Sequence, residues 1–151
     1  MQKNIQNNLI TWYNKNHRHF PWRETTNPYY IWISEIMLQQ TTTEAVIPYY
    51  TRFIETFDTI DKLARASLED VYKLWEGLGY YRRAKHIHET AQFICENFDG
   101  QFPTTYKDIL NLKGIGPYTA GAICSIAYGM STPAIDGNVL RIISRLYALT
   151  D

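Results

Sequence analysis

The stretch PYTAGAICSIAY, Pro117 to Tyr128, is small or apolar on every face of a helix: Ala120, Gly121, Ala122, Ile123, Ile126 and Ala127 leave no polar stripe. A helix of that kind has to be enclosed by other helices. Directly ahead of it, LKGIG places Gly114 and Gly116 just before Pro117. The glycines permit positive φ or a very close approach by another backbone. Pro117 suits the first turn of a helix, where its missing N–H costs nothing. The pattern predicts a short helix, a glycine hairpin and a central helix whose N-terminal N–H groups reach the surface, where a phosphate can approach them. The plainer alternative is a helical turn that uses glycine only for close packing.

Apolar residues recur at helical spacing along nearly the whole chain, and no alternating strand pattern stands out. The spacing predicts helices at Asn4–Asn16, Tyr30–Gln40, Thr43–Phe57, Ile60–Arg65, Leu68–Leu78, Tyr81–Phe98, Tyr106–Leu112, Pro117–Tyr128 and Gly137–Leu149. Ser67 three residues before Asp70, and Thr105 three before Asp108, read as helix starts. Asn27-Pro28 and Phe102-Pro103 read as breaks. Pro48 should delay or kink the third helix. The expected class is all-α.

The 151 residues suffice for one core or two small lobes. No segment has the length and purity of a membrane span, and the N-terminus MQKNIQNNLITW has no apolar signal region. Cys95 and Cys124 sit in apolar helical patterns without metal-like spacing, which predicts buried free thiols in a reducing cytoplasm. Fifteen basic residues balance fifteen acidic ones, so nucleic-acid binding cannot rest on bulk positive charge. A local patch is available at GYYRRAKHIH, where Arg82, Arg83 and Lys85 follow two tyrosines.

Two carboxylates stand in contrasting surroundings. Glu35 in WISEIMLQQT has Ile31, Trp32, Leu38 and Gln39 as its helical neighbours. On that mostly apolar face a carboxyl is desolvated and favours its protonated form, as a general acid requires. The alternative is a glutamate on a solvated edge beside Gln39. Asp136 in AIDGNVLR takes an N-cap position, where backbone N–H groups keep it ionised. Alone it reads as a cap. Together the two divide acid and anion roles as glycosidic bond cleavage demands.

WISEIMLQQT, WEGLGYYRRA, LKGIGPYTAGAI and AIDGNVLR, in that order, resemble the MutY family of adenine DNA glycosylases within the helix-hairpin-helix superfamily. The resemblance runs from about Phe20 to Asp151. It implies a six-helix-barrel type of lobe with the hairpin motif at 106–128, and an N-terminal helix at 1–19 that packs on a second, cluster-bearing lobe. It also implies a monofunctional enzyme that removes adenine mispaired with 8-oxoguanine or guanine from double-stranded DNA, in the cytoplasm on the nucleoid. By the same resemblance Glu35 is the catalytic glutamate, Asp136 stabilises or captures the sugar cation, and Tyr118 and Asn138 support the pair. Gln40 and Tyr80 enter the base stack around the lesion, and Trp22 and Arg23 line the adenine pocket. The glycines at 114 and 116 grip phosphates. Tyr80 has the character of a wedge, flanked by phosphate contacts from Arg82 and Arg83; the plainer alternative is a pair of core aromatics at a helix start.

The family's four-cysteine segment, which holds a 4Fe–4S cluster, and its MutT-like C-terminal domain are absent from this sequence. The expectation is a truncated fragment with no metal of its own and the cluster in the full-length protein. Much of the second lobe would be missing, leaving apolar surface at Leu9, Ile10 and Trp12 that drives self-association or an altered packing of the N-terminal helix. Two rivals stand beside this reading. One is a sibling mismatch enzyme acting on G:T pairs; a lyase relative would need lysine where Tyr118 stands. The other is a non-catalytic helix-hairpin-helix module that binds DNA.

Overall fold

The structure, a computed structural model, describes residues 2–149. Among them the chain is helical throughout, with no strand: α1 (Gln2–Asn16), a 3-10 turn (Pro21–Arg23), α2 (Pro28–Leu38), α3 (Thr43–Thr56), α4 (Ile60–Arg65), α5 (Leu68–Trp75), α6 (Arg82–Asn97), α7 (Tyr106–Leu110), α8 (Pro117–Tyr128) and α9 (Gly137–Leu146). The 3-10 turn has no counterpart in the expected helices. Asn27-Pro28 does more than break the chain. The Asn27 side chain accepts the Tyr29 N–H at 2.9 Å and Pro28 occupies the first turn, so α2 begins two residues earlier than periodicity suggests.

The hydroxyls of Ser67 and Thr105 each accept the N–H three residues on, at 3.1 Å, and these caps start α5 and α7. Pro48 does not delay α3, whose first bond runs from Val46 N–H to the Thr42 carbonyl. Glu44, whose carbonyl Pro48 leaves without an N–H partner, lies with it on the exposed side, where water can take that role.

Packing centres on α2, which lies against α8, α3 and α6; α6 is also covered by α4 and α5, and α7 rests on α8. Ile31, Trp32, Ile33, Ile36 and Met37 of α2 are buried. Each is worth roughly 1.5–3 kcal/mol removed from water, which far outweighs the cost of one partly buried carboxyl on the same helix. In α8 every residue from Thr119 to Cys124 is buried. The helix ends at Gly129 (φ 63), with Gly129 and Met130 N–H groups returning to Ser125 and Cys124 carbonyls.

One expectation needs correction. Cys124 is buried, but Cys95 is only half-buried on α6, and both thiols are free. Helix α9 has no buried residue: Val139, Leu140, Ile142, Ile143 and Leu146 are all exposed. Its apolar periodicity marks a face that seeks cover without saying what covers it. In α1, Leu9, Ile10 and Trp12 are 60%, 59% and 59% exposed. So much apolar surface on two helices predicts concentration-dependent self-association. Sedimentation with and without residues 1–19 checks it; a clean monomer at high concentration would remove the idea. Among the described residues no helix is long and apolar enough to cross a membrane.

Candidate active site

Glu35 lies in the last two turns of α2, half-buried, and its carboxyl has no hydrogen-bond partner among the described residues. Burial pushes it above the ordinary glutamate range; the positive charge of Arg23 opposes that shift without cancelling it. Arg23, from the 3-10 turn, is itself held by Tyr13 of α1, whose hydroxyl accepts its Nη1–H at 2.9 Å.

Asp136 caps α9. Its Oδ1 accepts the Val139 N–H at 2.8 Å, and its Oδ2 accepts Asn138 Nδ2–H at 3.1 Å. The backbone bond from Val139 is the main cause holding this carboxyl below the usual aspartate range. Asn138 is positioned in turn by Arg141, which donates to its Oδ1 at 3.0 Å.

One open cleft of about 810 Å³ collects Glu35, Asp136, Tyr118, Asn138, Trp22, Arg23 and Gln40. Burial raises the Tyr118 phenol, and the negative charges of Glu35 and Asp136 raise it further, so the three groups sense one another across this space. A carboxyl raised by burial and one held low by its cap therefore line the same cleft. Sequence reasoning missed Tyr13 and Ser34, which also line the cleft. Tyr13 gave no signal, because nothing in the periodicity of α1 says that its C-terminal half reaches the 3-10 turn.

Tyr80 and Arg82 lie outside the cleft, in a recess of about 320 Å³ that Gln40 also lines. Gln40 (φ 59) and Tyr80 (φ 51) are both in the left-handed region, which costs a non-glycine residue roughly 1–2 kcal/mol. Arg83 departs from its expected place at a phosphate. It is buried, and its guanidinium is taken up by backbone carbonyls and one hydroxyl of its own chain. Arg82 remains exposed.

The glycine hairpin joins α7 to α8. Gly114 has φ +80, a conformation that favours glycine, and a Cβ there would sit 3.1 Å from the His86 side chain, which would have to give way by a few tenths of an ångström. Gly116 corrects the expectation for its pair. Its backbone is extended (φ −97, ψ 178) and nothing in the chain lies within 4 Å of where a Cβ would be. The space in front of the α8 N-terminus is open. Thr90 donates to the Lys113 carbonyl at 3.0 Å and docks the hairpin on α6, while Lys113 pairs with Glu89 at 2.6 Å.

The iron–sulfur group implied by the resemblance needs four cysteine ligands. This chain has two, one sealed inside α8 and one at the edge of α6, so the residues present do not fit that group. Among the described residues no three His, Cys, Asp or Glu side chains gather as a metal site.

Comparison with known proteins finds relatives named as DNA glycosylases. An adenine DNA glycosylase of Buchnera aphidicola subsp. Acyrthosiphon pisum is 47% identical over 143 residues, covering 94% of this chain and 41% of the relative. The human adenine DNA glycosylase is 42% identical over 154 residues, covering 96% of this chain and 28% of its own length. The chain thus spans about two fifths of the bacterial relatives. A solved thermostable thymine-DNA glycosylase superposes with a TM-score of 0.90 at 31% identity, covering 94% of this chain and 66% of that one. A non-covalent endonuclease III–DNA complex superposes at 0.82 and 22% identity, over 99% and 71% of the two chains, which speaks for the fold. The family model described as HhH-GPD superfamily base excision DNA repair protein matches residues 33–151, and the chain belongs to that superfamily.

Proposed function

We propose that this chain carries the catalytic carboxylates of a monofunctional adenine DNA glycosylase acting on adenine opposite 8-oxoguanine or guanine, on the nucleoid of the cytoplasm. The observation that carries the reading is the pair of oppositely shifted carboxyls in one cleft, Glu35 raised and Asp136 lowered. The names of the bacterial and mammalian relatives supply the adenine specificity.

In this mechanism the adenine leaves the stack and enters the cleft beside Trp22 and Arg23, while Gln40 and Tyr80 fill the gap. Protonated Glu35 delivers its proton to an adenine ring nitrogen. The N-glycosidic bond then breaks, with its electron pair leaving on the base. Positive charge develops on the sugar, and the Asp136 carboxylate stabilises it. Glu35, now ionised, takes a proton from the attacking water, which leaves a hydroxyl on the sugar and restores the acid. Tyr118 and Asn138 hold the pair in place. The open α8 N-terminus at Gly114–Gly116 and the Arg82 side chain take the phosphates, giving salt-sensitive binding. Residues 20–151 form the glycosylase core in this reading, and residues 1–19 a helix that packs on a second lobe.

Incubating the protein with duplexes holding adenine opposite 8-oxoguanine should produce abasic sites. No abasic product would leave only a DNA-binding module. The 31% identical thymine-DNA glycosylase structure favours a second reading, and abasic sites from G:T duplexes in place of adenine ones would select it. A Schiff-base lyase needs an activated lysine, and position 118 is tyrosine. Borohydride added during turnover should therefore trap little covalent complex; efficient trapping that vanishes when one lysine is replaced would overturn the monofunctional assignment.

A further inference from the structure

Arg83 is only 9% exposed, yet it belongs to none of the groups that face the cleft. Its Nη1 donates to the carbonyls of Ile36 and Met37, each at 2.8 Å, and to that of Gln39. These carbonyls lie at the end of α2, where the chain supplies them only the Gln39 N–H, to Ile36, and a cation is favoured. Its Nη2 donates to Thr41 Oγ1 and to the Gly79 carbonyl, each at 3.3 Å. The guanidinium lies 5.4 Å from the ring centroids of both Tyr80 and Trp75, and the Trp75 indole N–H donates to the same Gly79 carbonyl at 2.9 Å. One side chain therefore joins two loops some forty residues apart in sequence. Each loop turns through a non-glycine residue in the left-handed region, Gln40 in one and Tyr80 in the other.

We propose that Arg83 is a positioning residue that locks the Gln40 and Tyr80 loops to each other and to the end of the Glu35 helix, so that the base-stack wedge is set before DNA arrives. Its significance for DNA rests on the glycosylase reading above. Conformations this uncommon persist only when their surroundings over-determine them, and a planar five-donor fork reaches both loops at once. A lysine ammonium in the same place is a point donor that cannot span them. If Arg83 served only as a cap on α2, its loss would loosen the whole molecule and not these two loops in particular.

Amide hydrogen exchange of the DNA-free protein tests this with Arg83→Lys. The Thr41 N–H bonds the Leu38 carbonyl and the Leu78 N–H bonds that of Trp75, while Ile115 N–H bonds Leu112 in the hairpin between α7 and α8, which the guanidinium does not hydrogen-bond. The expected result is exchange about tenfold faster at both Thr41 and Leu78, with Ile115 unchanged. Acceleration at only one loop, or equal acceleration at all three amides, would overturn the proposal. If Arg83→Lys does not fold, Thr41→Val removes one acceptor without touching the guanidinium. It should speed exchange at Gln39 and Thr41, and unchanged exchange there counts against the lock.

A second measurement follows unstacking of 2-aminopurine placed in a duplex opposite guanine. Wild type should raise its fluorescence on binding. Arg83→Lys should lose most of that rise while keeping its affinity within about threefold, because phosphate contacts supply most of the grip. Full unstacking by Arg83→Lys would overturn the claim for the wedge. If wild type gives no rise either, the glycosylase reading is at fault, and the exchange data alone still decide the role of Arg83.

Discussion

Replacing Glu35 by glutamine should remove nearly all base excision and leave duplex binding in place. Glutamine keeps the shape of the side chain but has no proton to give, and loss of a positioned acid costs about a hundredfold to ten-thousandfold in rate. The phosphate contacts proposed above involve the hairpin and Arg82, which do not line the cleft that holds this carboxyl, so affinity and its salt dependence should not change. In the unaltered protein, excision should fall on the basic side as pH rises through the elevated Glu35 value, because the acid is then ionised. It should fall on the acid side only below the usual aspartate range, where Asp136 finally takes a proton. The basic limb should vanish in any residual activity of Glu35→Gln. Near-normal single-turnover excision by the variant would sink the assignment.

The same substitution has a predicted sign for stability. With its carboxyl raised by burial, the folded chain holds a proton that the unfolded chain has already released, so stability declines as pH climbs through that interval. Above the folded value the penalty is complete, and it is absent below the unfolded one. Glutamine cannot ionise and escapes the penalty. Glu35→Gln should therefore melt with wild type at pH below the ordinary glutamate range and above it at pH 8. An enzyme that loses its activity while gaining stability is the pattern expected when a functional group is held in unfavourable surroundings. Equal melting at both pH values would show that Glu35 is better solvated than its place in α2 indicates.

How far the sequence led depended on whether a feature is local. The Ser67, Thr105 and Asp136 caps are legible because a cap is a matter of three residues. The burial of α8 from Thr119 to Cys124 follows from its composition alone, but Ile126, counted with them in sequence, is exposed and lines the cleft. Glu35 could be placed on an apolar face by counting three and four residues along the helix, although only the approach of Arg23 from another element shows what opposes its shift. Arg83 was misread for the complementary reason. In sequence it is one of a basic run beside tyrosines, and only the approach of α6 to the end of α2 turns it inward. Helix α9 shows a further limit, since periodicity identifies an apolar face but not its partner.

Gly121 is the residue that sequence reasoning passed over most completely, because one glycine among alanines reads simply as another small residue. A methyl group built there would lie 2.1 Å from the Pro133 carbonyl oxygen and 2.9 Å from its carbon. Both are backbone atoms that cannot swing aside. Thr132 ties that segment down by donating its hydroxyl to the Gly121 carbonyl at 3.1 Å, and α8 is held on its other side by α2. Something has to move. The 130–136 connection, which has no buried residue, is freer to do so than a buried helix, and it ends at Asp136.

Gly121→Ala should therefore displace the anion from the cleft, and a misplacement of about 1 Å can cost about a hundredfold in rate. Stability should fall by about 1–3 kcal/mol, the usual penalty of overpacking. That sign is diagnostic, because in a helix with room to spare the same change would stabilise by about 1 kcal/mol through helix propensity. Thermal unfolding and single-turnover excision on one preparation decide the matter, with duplex affinity as the control that the hairpin is intact. A variant that melts higher than wild type and excises at full speed would mean that the Pro133 carbonyl does not press on α8. Asp136 would then owe its position to its own cap alone.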